Sequence, residues 1–116
     1  MPVQNISSQE FQELYEKAAD KLEIIDVREA EEFAAAHVQG SKLIPMNEVE
    51  ERLDEIDWHK EVVFVCRSGS RSGMMANLVA AQHGKTIKNL SGGVGTLYAR
   101  HFAGLKVDEK LVGMYL

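Results

Sequence analysis

VVFVCRSGSRSG, residues Val62 to Gly73, is the stretch on which the reading of this chain turns. It opens with an apolar, β-branched run, Glu61 to Val65, of the kind expected in a strand buried on both faces. It closes on a segment, Ser72 to His83, that carries Ala76, Leu78, Val79 and Ala80 and stops at Gly84, as a helix does. Between them lies a short polar loop. Strand, tight loop and helix in that order predict an α/β unit, with Cys66 at the carboxyl end of the strand, where open α/β sheets place their chemistry.

The same alternation extends outward in both directions. Ser7 and Glu10 stand in the capping-box relation, and Ile6 and Phe11 flank them as a hydrophobic staple. Phe11, Leu14, Tyr15 and Ala18 then share one helical face. Glu23 to Val27 reads as a strand, Glu29 to Ala36 as a helix, and Lys42 to Ile44 as a short strand stopped by Pro45. Asn47, with Glu50 three residues on, predicts a further capped helix. Thr86 to Leu90 reads as a strand, Ser91 to Gly95 as a Gly-rich turn and Thr96 to Phe102 as a last helix, while Val3 to Ile6 adds an edge strand. Gly104 to Leu116 is expected to be irregular or partly helical. This order predicts a mostly parallel sheet.

With 116 residues, 45% of them hydrophobic, and no repeat or linker, one domain over residues 1–116 is expected. The net charge of -5 speaks against nucleic acid, whose phosphates call for an excess of Lys and Arg. No apolar run is long enough for a bilayer, and Met1 to Asn5 lacks the features of a signal peptide, so a cytoplasmic location away from membranes is expected. One cysteine excludes an internal disulfide and a Cys-based zinc site. His37, His59, His83 and His101 show no ligand spacing, and neither a metal nor a cofactor is expected. The acidic run Glu48 to Asp57 reads as a solvated face. The apolar tail, Leu111, Val112, Met114, Tyr115 and Leu116, is expected to pack on its own domain, in a monomer or weak dimer.

The loop carries the chemistry. A helix N-terminus presents unpaired N–H groups and positive potential, and a loop with Gly and Ser can turn successive N–H groups inward as an anion nest. Arg67 and Arg71 add full charge, and Gly69 is placed to supply a backbone angle closed to other residues. Each favours the thiolate of Cys66, the nucleophilic form, over the thiol. An ordinary buried Cys would sit inside Val62 to Val65; Cys66 lies one step beyond. A rival chemistry shares the plan. Cysteine-dependent phosphatases, and arsenate reductases with them, use Cys, five residues, then Arg. Here that count leads to Ser72, and Arg71 comes one position early. Such a loop is too short to wrap a phosphoryl group and better fits a single sulfur.

Three blocks together resemble the rhodanese family. IIDVREAEEF, Ile24 to Phe33, followed by HVQGSKLIP, His37 to Pro45, resembles its first signature. VVFVCRSGSRS resembles its active-site loop at the length seen in sulfurtransferase members. NLSGGV, Asn89 to Val94, resembles its second. The resemblance covers about residues 7–102 and leaves 103–116 as a tail. It implies a three-layer fold with a five-stranded, mostly parallel sheet between helices. It also implies a thiosulfate sulfurtransferase, with a persulfide on Cys66 and a substrate-binding loop of Arg67, Ser68, Gly69, Ser70 and Arg71. The donor would be a small sulfur-bearing anion and the acceptor cyanide, a thiol or a protein. Asp26, Arg28 and His37 would be framework residues. Many members place Trp after the Gly pair; Val94 here implies a less aromatic wall beside the site. A second rhodanese domain, which some members carry, is not expected. A non-catalytic interaction module is the remaining alternative, and the retention of Cys66 with both arginines argues against it.

Overall fold

The computed structural model describes residues 2–116; Met1, where the single-domain and leader readings begin, lies outside them. Five strands form one sheet in the order β1 (Val3–Ile6), β6 (Ile87–Leu90), β5 (Glu61–Val65), β2 (Leu22–Asp26), β4 (Lys42–Leu43), with every neighbouring pair parallel. The run that decided the reading, β5, is the central strand. Its side chains alternate between two buried layers, as a strand covered on both faces must. Val63 and Val65 join Ile6, Phe11, Ile24, Leu90 and Leu97 on one side. Val62, Phe64 and Cys66 join Ile25, Ile44, Met75 and Val79 on the other.

Helices cover both faces. The first layer takes α1 (Ser8–Ala18), α4 (Gly93–Ala99) and α5 (Val112–Tyr115) through Phe11, Leu97 and Val112; the second takes α3 (Ser70–His83) through Met75, Ala76 and Val79. The start of α1 follows its sequence signal. Ser7 Oγ accepts from Glu10 N at 3.0 Å, and Glu10 Oε1 accepts from Ser7 N at 3.0 Å. Gly84 closes α3 with φ +63°.

Elsewhere the structure redraws the expected elements. The helix expected over Glu29 to Ala36 is α2, Ala30–Ala35, and Ala36 already belongs to β3, Ala36–Val38. The carbonyl of Ala36 is taken by the buried Arg28 guanidinium, which pulls it out of the helical ladder. The tail is more ordered than expected. β7 (Leu105–Val107) pairs antiparallel with β3, Val38 opposite Leu105 and Ala36 opposite Val107. Val112 enters the first core layer with Leu116 packed against it, so the tail does pack on its own chain.

The helix expected from Asn47 is instead two 3-10 segments, Met46–Glu48 and Glu50–Glu55, with no side-chain cap. Pro45 occupies the cap position, which puts Asn47 inside the first turn instead of ahead of it. Arg52, at the kink, pairs with both Glu48 at 3.0 Å and Glu55 at 2.8 Å. Part of the acidic run is thus neutralised locally. α4 begins at Gly93, three residues before the expected Thr96, because Gly92 and Gly93 adopt positive φ and admit the helix early.

Candidate functional site

Cys66 follows the last residue of β5, with its side chain in the second core layer. Gly69, at φ +99°, turns the chain back and leads directly into α3, which starts at Ser70 and not at the expected Ser72. The loop closes over the sulfur. Gly69 N donates to Cys66 Sγ at 3.1 Å, Ser72 N at 3.4 Å and Ser72 Oγ lies at 3.3 Å. Cys66 is fully buried, while Arg67, Ser68 and Ser70 around it are exposed.

The outward side of this loop is held by α4. Gly92 N donates to Ser68 O at 3.1 Å, Val94 N to Cys66 O at 2.9 Å and Gly95 N to Arg67 O at 2.9 Å. Two N–H groups of the α4 start, those of Val94 and Gly95, are thereby satisfied. Three consecutive loop carbonyls point away from the sulfur as a result, which leaves N–H groups to point inward. Gly93 permits this approach: a Cβ there would collide with the carbonyls of Cys66 and Arg67. Val94, where many family members carry Trp, is fully buried in the first core layer.

Burial alone would push the Cys66 thiol up. The hydrogen bonds from the Ser72 hydroxyl and from the N–H groups of Ser72, Gly69 and Ser68 outweigh it and hold the thiol below its ordinary value. The shift runs toward a larger thiolate fraction, and the groups that produce it are these neutral donors, not the two arginines.

Arg71 departs from expectation in a second way. Its full charge is expected to act on the Cys66 sulfur and its substrate. Instead its guanidinium forks onto Glu32, Nη1 to Oε1 and Nη2 to Oε2, both at 2.9 Å. Its side chain is 36% exposed and that of Glu32 15%. The Arg71 charge beside the loop is therefore largely matched. The Arg71 bond holds the Glu32 carboxyl below its ordinary range against the opposing effect of burial. Arg71→Ala should destabilise the fold by about 1 kcal/mol, the upper end for a pair that solvent still reaches. A carboxylate held low stabilises the fold above its unfolded pKa of roughly 4.3 and loses that contribution as pH falls through the folded value. In urea denaturation the gap between the parent and Arg71→Ala should be widest near neutrality and close below about pH 4.

The residues expected to be framework behave so. Arg28 and Asp26 are both fully buried and joined twice, Nε to Oδ1 at 2.9 Å and Nη2 to Oδ2 at 2.8 Å. His37 stacks on Phe33 at 3.8 Å, with Nδ1 2.8 Å from Phe33 O. Three further residues make contacts at the site that the sequence did not assign to them: Glu32, Ser72 and Asn89. Ser72 and Asn89 are buried and bonded to each other, Ser72 Oγ to Asn89 Oδ1 at 2.6 Å. Their partners lie 17 and, for Glu32 and Arg71, 39 residues apart, and no local pattern announces such pairs.

The family model of the rhodanese-like domain matches residues 7–98. The chain belongs to the rhodanese-like domain family. It is 37% identical over 94 residues to "Putative sulfurtransferase YtwF" of Bacillus subtilis, covering 81% of this chain and 89% of that protein. It is 40% identical over 75 residues to "Putative sulfur carrier protein YrkF" of the same organism, covering 65% of this chain and 40% of the relative's length. A crystal structure of a rhodanese-like domain protein from Staphylococcus aureus superposes with a TM-score of 0.75 at 27% identity, over 90% of this chain and 98% of that one. The five-stranded parallel sheet between helices is the rhodanese-like fold, and relatives named for sulfur transfer or carriage place the chain among rhodanese-like sulfurtransferases.

Proposed function

We propose that this chain moves sulfane sulfur from a small anionic donor, thiosulfate or a close analogue, to a thiophilic acceptor through a persulfide on Cys66. The observation that carries the reading is the inward set of donors on Sγ, Gly69 N and Ser72 N with the Ser72 hydroxyl beside them. Such a set stabilises charge at one sulfur, the two backbone N–H groups being fixed in place by the loop.

The Cys66 thiolate attacks the outer sulfur of thiosulfate. A new S–S bond forms, the donor's S–S bond breaks, and sulfite leaves with the electron pair. The outer sulfur of the persulfide then carries the charge. A thiolate or cyanide attacks that outer sulfur, and Cys66 departs as thiolate, ready for another cycle. Arg67, exposed at the rim, draws in the donor and offsets charge on departing sulfite. Ser68, Gly69, Ser70 and Arg71 shape the backbone around the sulfur. Because Cys66 is covered at rest, the donor has to displace part of the exposed rim to reach it.

Phosphate chemistry is the poorer fit. A phosphoryl group calls for a bidentate Arg on its rim, and the Arg71 fork is spent on Glu32. The acceptor we infer is a low-molecular-weight thiol, a thiol on a protein, or cyanide. The name of the relative YrkF, "Putative sulfur carrier protein", supports the protein-bound option. No described helix is long and apolar enough to cross a membrane. A working free thiol fits a reducing compartment, and we place the activity in the cytoplasm, in a monomer or weak dimer of a single-domain chain.

Incubation with thiosulfate is expected to add the mass of one sulfur atom to the intact protein. The addition should vanish on treatment with cyanide or a thiol. Turnover of a generic aryl phosphate should stay at background. Phosphatase turnover without any gain of sulfur would overturn the proposal.

A further inference from the structure

The Ser72 hydroxyl has one proton and two acceptors in reach. Cys66 Sγ lies at 3.3 Å and Asn89 Oδ1 at 2.6 Å. A hydroxyl donates only one hydrogen bond. The orientation of Asn89 is fixed by its other end, where Nδ2 donates to Gly69 O at 3.1 Å and to Asn5 Oδ1 at 2.9 Å. A backbone carbonyl can only accept, so the amide nitrogen must face Gly69 and the amide oxygen must face Ser72. Two oxygens 2.6 Å apart with no proton between them would repel. In the uncharged site the Ser72 proton therefore lies on the Asn89 side, and the Cys66 thiol can donate to the free face of Ser72 Oγ. Both Ser72 and Asn89 are buried, so water is poorly placed to take either role.

Ionisation of Cys66 reverses the preference. The thiol proton leaves to solvent, and the sulfur becomes a charged acceptor that bonds more strongly than a neutral amide oxygen. The hydroxyl can then rotate to Sγ, at the cost of leaving Asn89 Oδ1 without its donor.

We propose that Asn89 is a positioning residue that competes with Cys66 for the Ser72 hydroxyl proton, so that this proton is parked on Asn89 while the sulfur is neutral and swings to Sγ when the sulfur carries charge. The inference deepens the sulfurtransferase reading and rests on it for its use in turnover. In the persulfide Sγ is neutral and the charge lies on the outer sulfur, so the proton is parked. As the outer sulfur departs to an acceptor, charge returns to Sγ and the hydroxyl meets it.

The charged groups around the loop are Arg67, the Arg71–Glu32 pair reaching in from α3 and α2, and the Asp26–Arg28 pair at the end of β2. None is altered by the variants below. The test is the pH dependence of Cys66 alkylation by iodoacetamide in the full chain, in a double-mutant cycle of Asn89→Ala and Ser72→Ala. This readout needs no sulfur donor. Asn89→Ala frees the hydroxyl for the thiolate and should lower the alkylation midpoint by about half to one pH unit, the scale of one hydrogen bond. In the Ser72→Ala background the same substitution should move the midpoint hardly at all. Asn89→Ser, which is less disruptive to the fold, should repeat the pattern if the Ala variant proves too unstable. An equal shift in both backgrounds, or a rise of the midpoint in the Ser72 background, would overturn the proposal, since Asn89 would then act only through the loop at Gly69. Failure of thiosulfate to load sulfur, with the cycle behaving as expected, would count against the donor reading alone.

Discussion

Cys66→Ser is expected to abolish sulfur transfer, with a loss of at least about 10⁴-fold in kcat/KM, while leaving the fold almost intact. Two consequences of the geometry produce this separation. A serine hydroxyl stays protonated where the cysteine ionises, and it cannot hold a transferable sulfur as a persulfide. Yet the hydroxyl is the same shape to a first approximation, and it can accept from Gly69 N and Ser72 N as Sγ does. The buried N–H groups keep a partner, so stability should change by no more than about 1 kcal/mol. Cys66→Ala gives the informative contrast. It should be just as inactive but less stable, because it strips those buried donors of their acceptor. The checks are steady-state transfer from thiosulfate to cyanide, intact mass after loading, and urea denaturation. Substantial turnover in the Ser variant would show that Cys66 does not carry the sulfur.

What the sequence made legible was local. The loop after β5 was readable because strand, glycine and helix follow one another within a dozen residues, each with its own short-range signal. The start of α1 was readable for the same reason: Ser7 and Glu10 satisfy each other's backbone across three residues. What escaped depends on residues far apart in the chain. β7 is only Leu105–Val107, with its central Lys106 exposed, and it becomes a strand because Ala36 to Val38 lies ready to pair with it. Arg71 looked free because nothing near it in sequence is acidic; its partner Glu32 arrives from α2. Asn47 looked like a cap because the Asn–Glu spacing is right, but Pro45 had already set where the turn begins. The burial of Val94 was equally illegible, because it depends on the helix that starts at the two preceding glycines and turns this side chain into the first core layer.

The largest expected loss of stability lies away from the sulfur, in the Asp26–Arg28 pair. Both side chains are fully buried, and three hydrogen bonds run from Arg28 to the Asp26 carboxylate, one from its own backbone N and two from its guanidinium. The same guanidinium holds Ala36 O where α2 gives way to β3. Asp26 stands opposite Val65 in the sheet register, one residue before Cys66. The pair therefore ties the end of β2, the α2–β3 junction and the approach to the loop. Asp26→Ala would leave a guanidinium buried without its counter-charge, which costs about 3–5 kcal/mol. That is a large share of the roughly 5–15 kcal/mol that stabilises a domain of ordinary size. The double variant Asp26→Ala with Arg28→Met removes both charges and fills the space with apolar atoms, and should recover a good part of the loss. Urea denaturation of the parent and the two variants measures this directly. A cost below about 1 kcal/mol for Asp26→Ala would mean that water reaches Arg28, and that the ion pair does not fix the junction it spans.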